Sequence, residues 1–168
     1  AFDFSTTANG SYVVQEGNES DDLTIKSASL LGGSLRDAAG NNVTFALPAT
    51  SNLNDNHTVV VDGVIPTIVS ITSGSNDASP YGKDSTIGLI VTFSEPVTLS
   101  VGETLVLDVN SSTTNLNITS ISNSLTATLD YVVLQGDETT DLSIDAISLL
   151  GAGTLRDAAG NDVSNLTT

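Results

Sequence analysis

The chain contains no cysteine, no methionine and no tryptophan. Without cysteine there is no disulfide framework, no thiolate metal site and no thiol nucleophile, so stability has to come from a packed core or from bound ions. A start without methionine is what a processed or excised segment is expected to show. No apolar run approaches the roughly 18 residues needed to cross a bilayer as a helix, and no basic-then-apolar leader opens the chain. Membrane insertion is therefore not expected. Aromatic residues make up 4% of the chain, and the sole histidine, His57, lies in the turn-like stretch Asn54-Asp55-Asn56-His57-Thr58. A nucleophile needs a base beside it, held in place by a third group. His57 stands alone in that role, so the chain is expected not to be an enzyme.

Positive charge is as scarce. Four Lys and Arg face twenty Asp and Glu, a formal charge of -16, which argues against a nucleic-acid backbone or an anionic lipid surface as partner. Cations are the natural counterpart. Asp outnumbers Glu fifteen to five, and its short stem serves both in turns and as an oxygen ligand for calcium.

The 168 residues are 39% hydrophobic, enough for a packed core. Val, Ile, Leu and Ala supply most of the apolar content, and Ser, Thr, Asn, Asp and Gly fill much of the rest, which suits short strands joined by many turns. In Ile87-Gly88-Leu89-Ile90-Val91-Thr92-Phe93 every odd position is apolar and shares one face of a strand. Leu105, Leu107 and Val109 alternate likewise, as do Leu125, Ala127, Leu129, Tyr131 and Val133. Turn clusters at Ser73 to Asp77 and Asn110 to Thr114 separate these runs at the spacing of a β-sandwich. Leu142 to Leu155 is ambiguous and allows a short helical turn.

The most informative feature is an internal repeat. Tyr12-Val13-Val14-Gln15-Glu16-Gly17-Asn18-Glu19 returns as Tyr131-Val132-Val133-Leu134-Gln135-Gly136-Asp137-Glu138, followed by Asp22-Leu23-Thr24-Ile25 against Asp141-Leu142-Ser143-Ile144. After one inserted residue, Leu35-Arg36-Asp37-Ala38-Ala39-Gly40-Asn41 recurs unchanged as Leu155-Arg156-Asp157-Ala158-Ala159-Gly160-Asn161. The period is about 120 residues, the size of a domain. Residues 1–62 then read as the C-terminal part of a first module, with a specialised strand over 1–11, and residues 63–168 as a second module lacking its last strand. The counterpart of that last strand is Thr58-Val59-Val60-Val61.

Four segments resemble the bacterial and archaeal immunoglobulin-like repeats found in tandem in surface adhesins, surface-layer proteins and extracellular filaments. They are Pro66 to Ser73, Val91-Thr92-Phe93-Ser94-Glu95-Pro96-Val97, Tyr131 to Asp137, and Arg156 to Asn161. The resemblance implies an all-β fold of immunoglobulin-like β-sandwich modules in tandem. It implies a secreted, extracellular, cell-surface protein with a structural or adhesive role in a stalk, filament or surface layer, stiffened by calcium. A module that itself recognises a glycan or a surface protein is the alternative.

Candidate calcium ligands are Asp62, at the expected junction between modules, and Glu95, at a strand end, since carboxylates of successive modules can share an ion. Asp37, Asp157 and Asn161 of the duplicated motif follow, although Gly40 and Gly160 with their Asp and Asn neighbours also read as plain tight turns. The runs Glu16 to Asp22 and Asp137 to Asp141 are further acidic candidates. Seven Asn-x-Ser/Thr sequons, at Asn9, Asn18, Asn42, Asn56, Asn110, Asn117 and Asn165, permit N-glycosylation of an exported glycoprotein. The expected partners are neighbouring copies or adjacent repeats, arranged head to tail. Donor-strand complementation by Ala1-Phe2-Asp3-Phe4 of one copy would complete the open sheet of the next.

Overall fold

The computed structural model describes residues 5–74, 80–110, 115–164 and 166. The expected strand at Ala1 to Phe4, most of the turns at 73–77 and 110–114, and the sequon residue Asn165 lie outside them. The chain divides into two units, Ala1–Val64 and Ile65–Thr168. The described residues are mostly strand and irregular segment, with one helix of four residues, so the fold is all-β.

The second unit holds the core. Its longest strand, β4 (Thr86–Leu99), pairs antiparallel with β3 (Ile68–Ser73) on one side and β7 (Ser124–Val132) on the other. The end of β4 pairs with β9 (Leu155–Arg156). A second sheet runs β6 (Leu116–Ile118), β5 (Thr104–Val109), β8 (Ile144–Leu150). Period-two alternation places Ile87, Leu89, Val91 and Phe93 of β4 inward, together with Leu105, Leu107 and Val109 of β5. These side chains, with Ala127 and Tyr131 of β7 and Leu155 of β9, form one hydrophobic cluster to which both sheets contribute. Full burial of each larger member contributes about 1.5–3 kcal/mol. Pro96, which has no amide to donate, sits where the β4 pairing shifts register between Thr92 and Val97.

The stretch from Leu142 to Leu155, ambiguous in sequence, forms strand β8 and no helical turn. Its pairing with β5 overrides the local ambiguity.

The first unit has little regular structure: β1 (Glu19–Ser20) pairs with β2 (Val61–Asp62), and α1 (Leu53–Asn56) is a single turn capped by Asn52 and Asp55. Of the expected strand over Thr58 to Val61 only Val61 carries strand pairing, as the first residue of β2, and a bond from the Leu23 amide to the Val59 carbonyl (2.8 Å) extends it. Residues 5–11 form no strand and are exposed. Its apolar residues stand in contrast to their second-copy counterparts. Tyr12 is 56% exposed and Tyr131 3%, and Leu35 is 37% exposed against 2% for Leu155. In the second unit Tyr131 and Leu155 belong to the cluster that β4, β5 and β6 also build, whereas the strands among the described residues of the first unit are two residues long.

Candidate functional site

The duplicated motif builds the same turn twice. In the second unit, after β9, the Asp157 Oδ1 accepts the amides of Gly160 (2.7 Å) and Asn161 (2.8 Å), and Oδ2 accepts Asn161 Nδ2 (2.7 Å). In the first unit Asp37 Oδ1 accepts the amides of Ala39 (2.9 Å) and Asn41 (2.8 Å), and Oδ2 accepts Asn41 Nδ2 (2.8 Å). Gly40 and Gly160 close both turns at φ 91 and 97, the left-handed region that favours glycine. These bonds, the Asn41 side chain first, hold the Asp37 carboxyl below its ordinary pKa. The Arg beside each Asp is used differently. Arg156 pairs through Nε and Nη2 with Asp162, which lowers the Asp162 pKa and raises that of the guanidinium, whereas Arg36 donates to the Gly40 carbonyl, at 3.4 Å.

Burial separates the two copies. Asp157 is 9% exposed and Asp37 is on the surface. Glu95 occupies an inward-parity position of β4 between Phe93 and Val97 and is half-buried, and its carboxylate oxygen lies within 4.8 Å of one of Asp157. A carboxylate offers about four acceptor positions, of which Asp157 spends three on its own turn. It can give a metal one oxygen. Two carboxylate charges that close repel by about 3.5 kcal/mol at an effective dielectric of about 20, which a cation would relieve. Asp62 belongs to the first unit, in β2 opposite Glu19, where its Oδ1 accepts the Val64 amide at 3.1 Å. Asn161 serves as the side-chain donor to Asp157.

Of the two acidic runs, Glu16 to Asp22 frames β1, and Asp22 Oδ1 accepts the Val59 amide at 3.2 Å. Asp137 to Asp141 is an irregular segment of the second unit, tied back by Asn110, whose Nδ2 donates to the Asp141 carbonyl (2.8 Å) and the Thr139 hydroxyl (3.2 Å) and whose Oδ1 accepts the Ser143 amide. That work occupies the sequon nitrogen of Asn110. Asn56 Nδ2 likewise bonds the Asn52 carbonyl, and Asn18 Oδ1 accepts from Tyr12 and Gln15. Asn9, Asn42 and Asn117 are exposed. His57, the exposed C-cap of α1, ends that helix with its backbone amide bonded to the Leu53 carbonyl.

No family model, curated protein or solved structure matches the chain. The site therefore has to be read from its own chemistry. No helix among the described residues is long and apolar enough to cross a membrane.

Two features went unread in the sequence. Tyr131 donates its hydroxyl to Asp137 Oδ2 (2.6 Å), which also accepts the Leu134 amide (2.8 Å). Tyr12 and Asn18 repeat this pair at 2.7 Å, with the Gln15 amide at 2.9 Å. A tyrosine followed six residues later by Asp or Asn in both copies was the available signal. The second feature is a groove of about 1090 Å³ in the second unit, walled by Ile71, Tyr81, Ile87, Leu89 and Tyr131 and by the backbone run from Asp137 to Ile144. Tyr81, outside the strands, packs against the core and lines this groove.

Proposed function

We propose that the chain is a stretch of a tandem array of immunoglobulin-like sandwich modules with a structural or adhesive role outside the cell, in a stalk, filament or surface layer. The observation that carries this reading is the duplicated block itself. Two copies with the same Tyr–Asx bond and the same Asp–Asn turn are what repeated modules produce, and repetition serves length and spacing better than it serves catalysis. Two sheets sharing one core support the sandwich reading of the second unit.

Calcium is part of the proposal. Glu95 and Asp157 supply closely spaced oxygens, and a hard cation that takes six to eight oxygens would be completed by carbonyls and water. Asp62, close in sequence to Ile65, is the further acidic donor that the chain offers. A bound divalent ion would also offset the self-repulsion of a net charge of -16.

The test is surface display. An antibody raised against the chain should label intact cells of the source organism, and brief proteolysis of those cells should remove the label; labelling only after lysis would overturn the reading. The alternative, ligand recognition by the module, draws on the groove beside Tyr81. Selective binding on a glycan array would favour it.

A further inference from the structure

The groove of the second unit has a template for its occupant inside the same molecule. In the first unit, Val59 to Gly63 lies along residues 17–23. Gly17 donates its amide to the Gly63 carbonyl (2.7 Å), Gly63 donates to the Asn18 carbonyl (2.8 Å), and Leu23 donates to the Val59 carbonyl (2.8 Å). Between these bonds Glu19 faces Asp62 and Ser20 faces Val61, and Val61 is buried. Gly63 fits because a Cβ there would collide with the Gln15 carbonyl oxygen.

The repeat carries each of these positions into the second unit. Gly17, Asn18, Glu19, Ser20 and Leu23 become Gly136, Asp137, Glu138, Thr139 and Leu142. Tyr131, Leu134 and Asp137 hold this turn with the bonds that Tyr12, Gln15 and Asn18 make, so the backbone is set in the same way in both copies. In the second unit, however, no strand among the described residues lies along it. Among the described residues the Gly136 and Leu142 amides have no acceptor, and the run from Asp137 to Ile144 forms one wall of the open groove. The opposite wall is apolar: Ile71, Ile87 and Leu89.

We infer that this groove is a docking site for an extended segment of the pattern Val-Val-Val-Asp-Gly, the counterpart for this copy of what Val59 to Gly63 is to residues 17–23. The segment lies antiparallel to residues 136–142, its third valine enters the groove against Tyr131 and Leu89, and its glycine closes on Gly136. Bonds from the Gly136 and Leu142 amides fix the register, and alternation sends the third valine inward. The inference rests on the reading of the chain as a repeat array and adds the site and register at which each copy takes up that segment.

The experiment uses the full chain, extended after Thr168 by a second copy of residues 49–64, which the repeat places at the natural distance. A second version carries Val61→Asp in the added copy only. Amide hydrogen exchange is followed at Gly136 and Leu142 by NMR, with sedimentation to record mass. The expected result is exchange slowed at least about 100-fold at both amides in the first version, unchanged in the second, with both monomeric. Unchanged exchange in both versions, or equal slowing in both, overturns the inference. Slowing already present in the unextended chain together with dimerisation overturns it too, because a second copy would then be the occupant. Surface labelling of cells is unaffected by any of these results, so the two readings fail separately.

Discussion

Asp157→Ala is the most informative single change, because the molecule carries its own control. The substitution removes three hydrogen bonds of 2.7–2.8 Å from a carboxylate that is nine-tenths buried. Bonds to a charged acceptor contribute about 1.5–3 kcal/mol each, and a donor left without a partner in a shielded place costs about 1–3 kcal/mol. These terms do not add in full. Gly160 is exposed and its amide returns to water, whereas the half-buried Asn161 loses partners for both its backbone and its side-chain nitrogen. The net loss for the second unit is about 2–4 kcal/mol, a large share of the roughly 5–15 kcal/mol that holds a domain together. Asp37→Ala removes three bonds at the surface, two from Asn41 as in the other copy and one from the Ala39 amide in place of a glycine amide, where water replaces them, and leaves the unfolding of the second unit unmoved. Asp157→Asn keeps an acceptor for the two backbone amides and sets nitrogen against nitrogen at Asn161, so it falls between. Urea unfolding followed by far-ultraviolet circular dichroism and by tyrosine emission, undisturbed because the chain has no tryptophan, reads all three. Equal effects of Asp157→Ala and Asp37→Ala, or a loss below about 0.5 kcal/mol for the former, would refute the claim that burial gives the second turn its weight.

Calcium at millimolar concentration should raise the melting temperature of the second unit, with Glu95→Gln abolishing the rise and Asp62→Asn testing the first unit's share; a calorimetric scan unchanged by calcium and by chelator removes the ion from the proposal. Phe93→Ala, at a fully buried core position of β4, should cost about 3–5 kcal/mol and leave the second unit largely unfolded at 37 °C by circular dichroism; a loss under about 1 kcal/mol would mean that the core is not where the structure puts it. The Asp37 carboxyl, held low chiefly by the Asn41 side chain, should titrate by carbon NMR below the ordinary value of 3.8. Its turn is then fully supported above that value and loses support as pH falls through the lowered pKa. Asn41→Ala should bring the titration back up, and an unchanged midpoint would discount that bond.

Alternation made most of the core legible. Ile87, Leu89, Val91 and Phe93, and Leu105, Leu107 and Val109, are buried as their spacing predicts, because period two is a local property of a strand. The same rule failed at Leu125, about half exposed at the edge of its run, and it could not choose between helix and strand for Leu142 to Leu155, where pairing with β5 decides. Glu95 was singled out as a strand-end acid. Its odd position in β4 already placed it inward, toward Asp157, once Ile87 to Phe93 were assigned to the core face. Asp37 and Asp157 could not be told apart by sequence, since their motifs are identical over seven residues.

That identity shows which part of the structure is local and which is not. Both copies form the Asp–Asn turn with bonds within about 0.2 Å of one another, and both form the Tyr–Asx bond, although one copy is packed on a core and the other stands in solvent. Turn chemistry of this kind therefore depends on the nearest few residues alone. Burial has another source, the strands from Ile68 to Ile118, distant in sequence from the side chains that they cover. The turns therefore rest on local contacts and the core on pairing between residues distant in sequence. A neighbouring strand can enter where a turn positions backbone hydrogen-bonding groups that no other strand covers. The Gly136 and Leu142 amides meet that description, held by the bond between Tyr131 and Asp137 at the mouth of an apolar groove. Tyr131→Phe then becomes a discriminating variant. It should leave the core intact while loosening the turn, and so weaken strand capture in the extended chain more than it lowers the stability of the unextended one.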